Sequence, residues 1–247
     1  MNGTSEIPLY KVQRHYDEVA DIYDAWYDAS RGRSYYDNIA RHVMSCLPPG
    51  GFLLDLGCGT GLFVSRYIQR GGRGVGLDIS RGMVTRARMR RRGSLFCRGT
   101  AEVLPFRDGT FDAVSSLLAF SYLRFPEKMC SEAYRVLKPG GALAICTLGR
   151  NLLTSGLPAV YTLGEVMRIK KVGVGDFGER YYTPGELEEM LKTAGFVDVQ
   201  ARRCSFAHHR LAPPLFSLAR RIEPFVEENL PALAYNIVIR GKKPGNR

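Results

Sequence analysis

At 247 residues the chain is sized for one large α/β domain, and its 45% hydrophobic content can fill a sizeable core, which excludes disorder. It holds no unbroken apolar run long enough to cross a bilayer, and the polar, aromatic stretch from Met1 to Tyr36 lacks the basic-then-apolar order of a signal peptide, so a cytoplasmic protein is expected. Lys and Arg number 35 against 24 acids, and the net charge of +11 favours anionic partners without naming one.

The N-terminal segment is rich in tyrosine. Tyr16, Val19, Tyr23, Trp26 and Tyr27 fall on one face of a helix, which suits a cap that packs over a sheet. Strands and helices then alternate. Phe52–Leu56, Arg73–Asp78, Ser94–Arg98, Phe111–Leu118 and Gly141–Thr147 read as strands, with helices over Leu62–Arg70, Arg81–Arg92 and Glu127–Leu137. That spacing implies parallel βαβ units in a doubly wound sheet. Thr183-Pro184-Gly185-Glu186 opens a further helix as a capping box, Gly195 closes it, and Phe196–Val199 and Tyr235–Arg240 read as two late strands. About 35 residues, Leu148–Tyr182, separate the fifth strand from this helix, too many for a plain connection. The chain divides into an N-terminal helical cap (1–50), a cofactor-binding core (51–147), a substrate-side insertion (148–182) and C-terminal helix and strands (183–247) of a single domain.

Asp55-Leu56-Gly57-Cys58-Gly59-Thr60-Gly61 ends a strand and opens a helix, so the backbone can turn sharply and approach a ligand. The dinucleotide fingerprint fails here: Leu62 or Val64 stands where its last glycine or alanine belongs. A pyrophosphate cofactor is therefore disfavoured, and an adenosylated cofactor without phosphate suits the loop. Asp78 ends the next strand, where a carboxylate can accept both ribose hydroxyls. Its competing role is that of an acid at a helix start, since Ser80 can cap the helix that follows.

These motifs resemble those of class I methyltransferases, in the type-11 group that includes ubiquinone and menaquinone biosynthesis enzymes. Leu53–Gly61 resembles motif I, Gly76–Ser80 the ribose-acid motif, Thr100–Phe106 with Thr110–Val114 the adenine loop and fourth strand, and Glu132–Gly141 the entry to strand five. The resemblance implies a Rossmann-like seven-stranded sheet with an antiparallel last strand, and S-adenosyl-L-methionine as cofactor. It assigns Gly57, Gly59 and Gly61 to the methionine part, with Asp55 and Cys58 of the same loop also binding the cofactor, Asp78 to the ribose, Ile79 and Ala101 to the adenine ring, and Leu117 to the cofactor at the end of strand four. Thr100 departs from the Asp or Asn usual at its position, and Glu102 can compensate or stand as a surface acid.

Methyl transfer displaces a neutral thioether, so placement in line contributes much of the rate and no dyad is required. Tyr23, Tyr122 and His15 are the catalytic candidates, and Tyr23, Trp26, Tyr27 and Tyr122 the acceptor-side ones. An apolar roof is expected from these aromatics and from Leu152, Leu153, Leu157, Val160 and Tyr161. The six scattered cysteines and four histidines offer no metal-ligand spacing. Arg81, Arg86, Arg88, Arg90, Arg91, Arg92 and Arg98 form a basic cluster that a nucleic acid could use, but Ser115-Ser116-Leu117-Leu118 lacks the motif of base-amino methyltransferases, so a solvated helix face is favoured. A basic amphipathic stretch over Arg210–Val226 suits a lid, a core helix or a peripheral membrane contact. Three readings stand on the sequence: methyl transfer to a small hydrophobic or aromatic acceptor, a cofactor-binding inactive partner subunit, and an RNA or protein methyltransferase. No motif encodes the oligomeric state.

Overall fold

Alternate residues of each central strand enter different cores, which is how the sheet comes to be covered on both faces. Leu54, Val114, Leu143 and Ile145 pack with α5 (Pro126–Val136) and α6 (Pro184–Thr193) on one side. Leu53, Ala113, Ala144 and Cys146 pack with α2 (Ser30–Met44) and α3 (Leu62–Gln69) on the other. The structure is a computed structural model that describes residues 8–28, 30–150, 179–207 and 211–245.

The seven strands are β1 (Phe52–Leu56), β2 (Arg73–Asp78), β3 (Leu95–Arg98), β4 (Phe111–Leu117), β5 (Leu137–Leu148), β6 (Val197–Cys204) and β7 (Asn236–Lys242). Their spatial order is β3-β2-β1-β4-β5-β7-β6. The first five pair in parallel, and β7 runs antiparallel to both β5 and β6. The order reverses beside β1, which lies between β2 and β4, so the carboxyl ends of β1 and β4 border the natural crevice of the sheet.

Two further helices shape that end: α1 (Leu9–Asp28) and α4 (Arg81–Arg90). Ser80 caps α4, its hydroxyl accepting the Met83 N–H at 3.0 Å. The expected capping box of α6 forms, with Thr183 and Glu186 each accepting the other's backbone N–H. The largest departures from the expected boundaries are three. Strand β5 begins at Leu137 rather than Gly141, because Leu137 already pairs with Phe111. Strand β6 extends to Cys204, since Gln200–Cys204 ladder with β7. The last helix, α7 (Pro213–Asn229), starts later than Arg210 because Pro213 and Pro214 have no N–H to donate and fit only a first turn.

Candidate cofactor and acceptor site

Gly57, Gly59 and Gly61 all have positive φ, at 70°, 51° and 77°. Their surroundings divide them. A Cβ on Gly57 would overlap the Ala119 methyl, and one on Gly61 would come 2.9 Å from the Phe96 ring. A Cβ on Gly59 would meet nothing nearer than the Tyr23 ring, at 3.7 Å. Gly57 and Gly61 are thus required by packing, while Gly59 borders open space beneath α1. The loop is fastened to β2 through the Gly57 and Cys58 N–H groups, which both donate to the Leu77 carbonyl at 2.8 and 3.1 Å.

Two buried carboxylates flank this loop. Asp78 accepts the Gly59 N–H on one oxygen at 2.8 Å and the Ser80 N–H on the other at 2.9 Å. It is therefore both the acid beside the glycine loop and the acid before the cap, and the two roles anticipated for it share one side chain. Burial raises its pKa, and these two N–H donors act against the rise. Asp55 is held by the Ser115 hydroxyl at 2.7 Å, and burial pushes it up to about 7, with the Asp78 charge adding to the rise. The Cys58 thiol is also buried, and desolvation with the charges of Asp78 and Asp55 holds it well above the ordinary thiol range.

On the adenine side of the sequence motifs, Ala101 is buried, whereas Ile79 and Thr100 are half-buried. The Thr100 hydroxyl accepts the Glu102 N–H at 3.3 Å. Glu102 is not a surface acid: it is 7% exposed, and its carboxylate accepts the Phe125 N–H at 2.8 Å where α5 begins. A helix start offers unpaired N–H groups to an acceptor that arrives from elsewhere in the fold. Leu117, half-buried, closes β4, and Leu118 after it takes a left-handed φ of 60°, a conformation that costs a non-glycine residue about 1–2 kcal/mol.

Helix α1 presents two different rows. One is aromatic: Tyr16 meets Tyr122 and Tyr23, each at 6.2 Å between ring centroids, Tyr23 meets Tyr27 at 5.3 Å, and Tyr27 meets Tyr36 of α2 at 5.1 Å. Burial raises the pKa of Tyr16, Tyr23, Tyr27, Tyr36 and Tyr122. Their hydroxyls stay protonated at neutral pH and act as hydrogen-bond donors rather than bases. His15 is half-buried, its ring edge-on to Tyr16 at 5.3 Å. The side chain of Trp26 lies outside the described residues, as do Leu152, Leu153, Leu157, Val160 and Tyr161.

The other row is acidic. Asp17 accepts the Ser80 hydroxyl at 2.6 Å and the Gly82 N–H at 2.9 Å. Asp21 pairs with Arg86, and Asp24 accepts from both the Thr60 hydroxyl and Arg90. Arg88 donates to the Phe96 carbonyl at 2.7 Å and Arg98 to the Ile79 carbonyl at 3.2 Å. Four of the seven clustered arginines are thus engaged within the molecule, which draws on the surface that a nucleic acid would need. The spacing of Asp17, Asp21 and Asp24 puts them on one side of a helix, a signal present in the sequence, but their partners become visible only in three dimensions. Ser115 was likewise absent from the expected site.

The strand order, the glycine loop at the switch point and the strand-end acid define a Rossmann-like enzyme that binds a nucleoside cofactor. The family model described as a methyltransferase domain matches residues 54–145. A ubiquinone/menaquinone biosynthesis C-methyltransferase (UbiE) of Ruegeria sp. is 30% identical over 216 residues, covering 79% of this chain and 86% of the relative. A demethylmenaquinone methyltransferase of Paenarthrobacter aurescens is 30% identical over 238 residues, covering 87% and 94%. Among solved structures, a Thermotoga maritima methyltransferase described as a possible histamine N-methyltransferase superposes with a TM-score of 0.68 at 26% identity, covering 94% of this chain and 99% of that one. The chain belongs to the S-adenosylmethionine-dependent methyltransferases, in the type-11 group. Its cofactor is S-adenosyl-L-methionine and its reaction is methyl transfer.

Proposed function

We propose that the methyl group goes to a small hydrophobic or aromatic acceptor held between the tyrosine row of α1 and the end of β4. The observation that carries this reading is the position of Tyr23 over Gly59, which brings the aromatic row to the open side of the glycine loop. The Ruegeria and Paenarthrobacter relatives are named as quinone-biosynthesis methyltransferases, which agrees with an acceptor of that chemistry.

The residues suit the cofactor. Each Asp78 oxygen accepts one backbone N–H and retains capacity for a ribose hydroxyl. Gly59 leaves room for close approach, Asp55 lies beside the loop for the positively charged methionine end, Ile79, Thr100 and Ala101 border the adenine position, and Leu117 the sulfur side. When bound, the cofactor supplies a methyl group on a sulfonium. The chain's own part is to orient the acceptor, exclude water and offer tyrosine faces to positive charge. The protonated hydroxyls of Tyr23 and Tyr122 position an acceptor oxygen or ring by donating to it. Of the three catalytic candidates His15 alone carries an imidazole, so a base at this site is His15 or the acceptor's own ionised form.

Deletion of residues 1–30 tests the reading, with demethylmenaquinol as probe acceptor and cofactor affinity measured separately by calorimetry. The expected result is loss of turnover with a much smaller loss of cofactor affinity. Full turnover in the truncated chain refutes the roof.

A further inference from the structure

Helix α7 carries two apolar faces where packing requires one. Phe216, Ala219 and Val226 are buried against the body of the fold. Leu215, Leu218, Ile222 and Phe225 are 55%, 58%, 41% and 60% exposed, and their spacing aligns them as one stripe along the outer side. Exposed large apolar side chains grouped this way are uncommon unless something covers them.

An arginine borders the stripe. Arg221 is exposed beside it, while Arg220, on the other side of the helix, is paired with the buried Glu223. Two acids of the same helix are turned inward. Glu223 accepts the Phe206 and Ala207 N–H groups at 2.8 and 2.9 Å, and Glu227 accepts the Ser205 N–H at 2.7 Å and pairs with His42. Glu228 is the acid of α7 left exposed. The helix thus shows solvent an apolar stripe bordered by Arg221, on a chain of net charge +11.

We propose that α7 docks the enzyme on an anionic lipid bilayer, lying in the interface with Leu215, Leu218, Ile222 and Phe225 in the headgroup boundary. Charge complementarity decides among the occupants. A second copy would meet the stripe through a two-fold axis and bring a second net charge of +11 against the first, whereas anionic headgroups attract that charge. Arginine stems can bury along the apolar surface while the guanidinium reaches the phosphates. The helix has 17 residues, and no described helix is long and apolar enough to cross a membrane, so it lies on the bilayer and does not span it. Docking there would reach the active end through packed elements: Asn38 and His42 of α2 hold Glu227, and Tyr36 of the same helix meets Tyr27 of α1.

The test is flotation of the full chain with vesicles of phosphatidylglycerol and phosphatidylcholine, against phosphatidylcholine alone. The wild type should float with the anionic vesicles and be released by salt. Leu218→Asp with Ile222→Asp should weaken the partition by roughly 100-fold, and Arg221→Glu by several-fold. Phe225→Ala, a milder change, should weaken it by roughly 10-fold while leaving the thermal shift with S-adenosylmethionine unchanged, which separates docking from folding and from cofactor binding. Failure of the wild type to float, equal flotation of the variants, or a dimer in sedimentation that the variants dissociate without altering flotation would each overturn the proposal.

Discussion

The cofactor end of β1 and β2 and the α1 cover above it are built on different principles. At the first, backbone atoms hold the shape: the Gly57 and Cys58 N–H groups bind Leu77, and Asp78 spans Gly59 and Ser80. At the second, side chains do so, through a tyrosine row and three aspartates. A site made of backbone tolerates few residue types and serves one cofactor. A cover made of side chains can change its lining without disturbing the sheet, so one core can serve many acceptors.

Substitutions at the backbone-built end should cost most. Gly57→Val would combine a left-handed φ with overlap on Ala119, and roughly 5 kcal/mol of destabilisation is expected in urea melts. If the melt moves little, packing is not what requires this glycine.

Asp55 gives the next largest effect, and it depends on pH. Its pKa is about 7 in the fold against 3.8 as the ordinary value. Between those values the folded chain keeps a proton that the unfolded chain has released, so stability falls as pH rises through the window and levels off above it. The ceiling is about 4 kcal/mol. Denaturation of the cofactor-free protein across that range should show the slope, and Asp55→Asn should flatten it. Cofactor affinity should rise over the upper part of the same window, because a cationic ligand favours the ionised carboxylate. An identical slope in Asp55→Asn would assign the titration to another group, with Asp78, also raised, the first to examine.

Asp78→Asn keeps the shape but loses the charge, and calorimetry should show cofactor affinity weakened by about 1.5–3 kcal/mol. The smallest effect belongs to the cover. The Asp21–Arg86 pair is exposed, so Arg86→Gln should change stability by less than about 1 kcal/mol. A larger loss there would mean that the cover is as rigidly specified as the core, and the contrast between the two regions would fail.

That contrast also explains what the sequence discloses. Asp55, Gly57, Gly59, Gly61 and Asp78 are legible because a backbone turn after an apolar strand restricts residue type at fixed spacing. The parallel pairing of the first five strands follows from the alternation, and the antiparallel seventh from the family resemblance. The surface alternative for Glu102 fails on a partner that the sequence does not mark, the Phe125 N–H, which is 23 residues away and has no side-chain signature. Arg86 and Arg90 read as a free basic face for the same reason: Asp21 and Asp24 lie more than 60 residues earlier. The extension of β6 was missed because its exposed, arginine-bearing residues resemble a loop until β7 pairs with them.

The two rows of α1 have a mechanical consequence. They are printed on one rigid rod, so neither can be adjusted alone. Inserting a single alanine between Asp17 and Asp21 would rotate the later part of the helix by about 100° against the earlier part. Asp21 and Asp24 would leave the arginines of α4 in the same motion that turns Tyr23 and Tyr27 from their stack. Fastening and stacking are keyed to one another like the teeth and bow of a key, so either row can change only by exchanging side chains in place, with the helix length held constant.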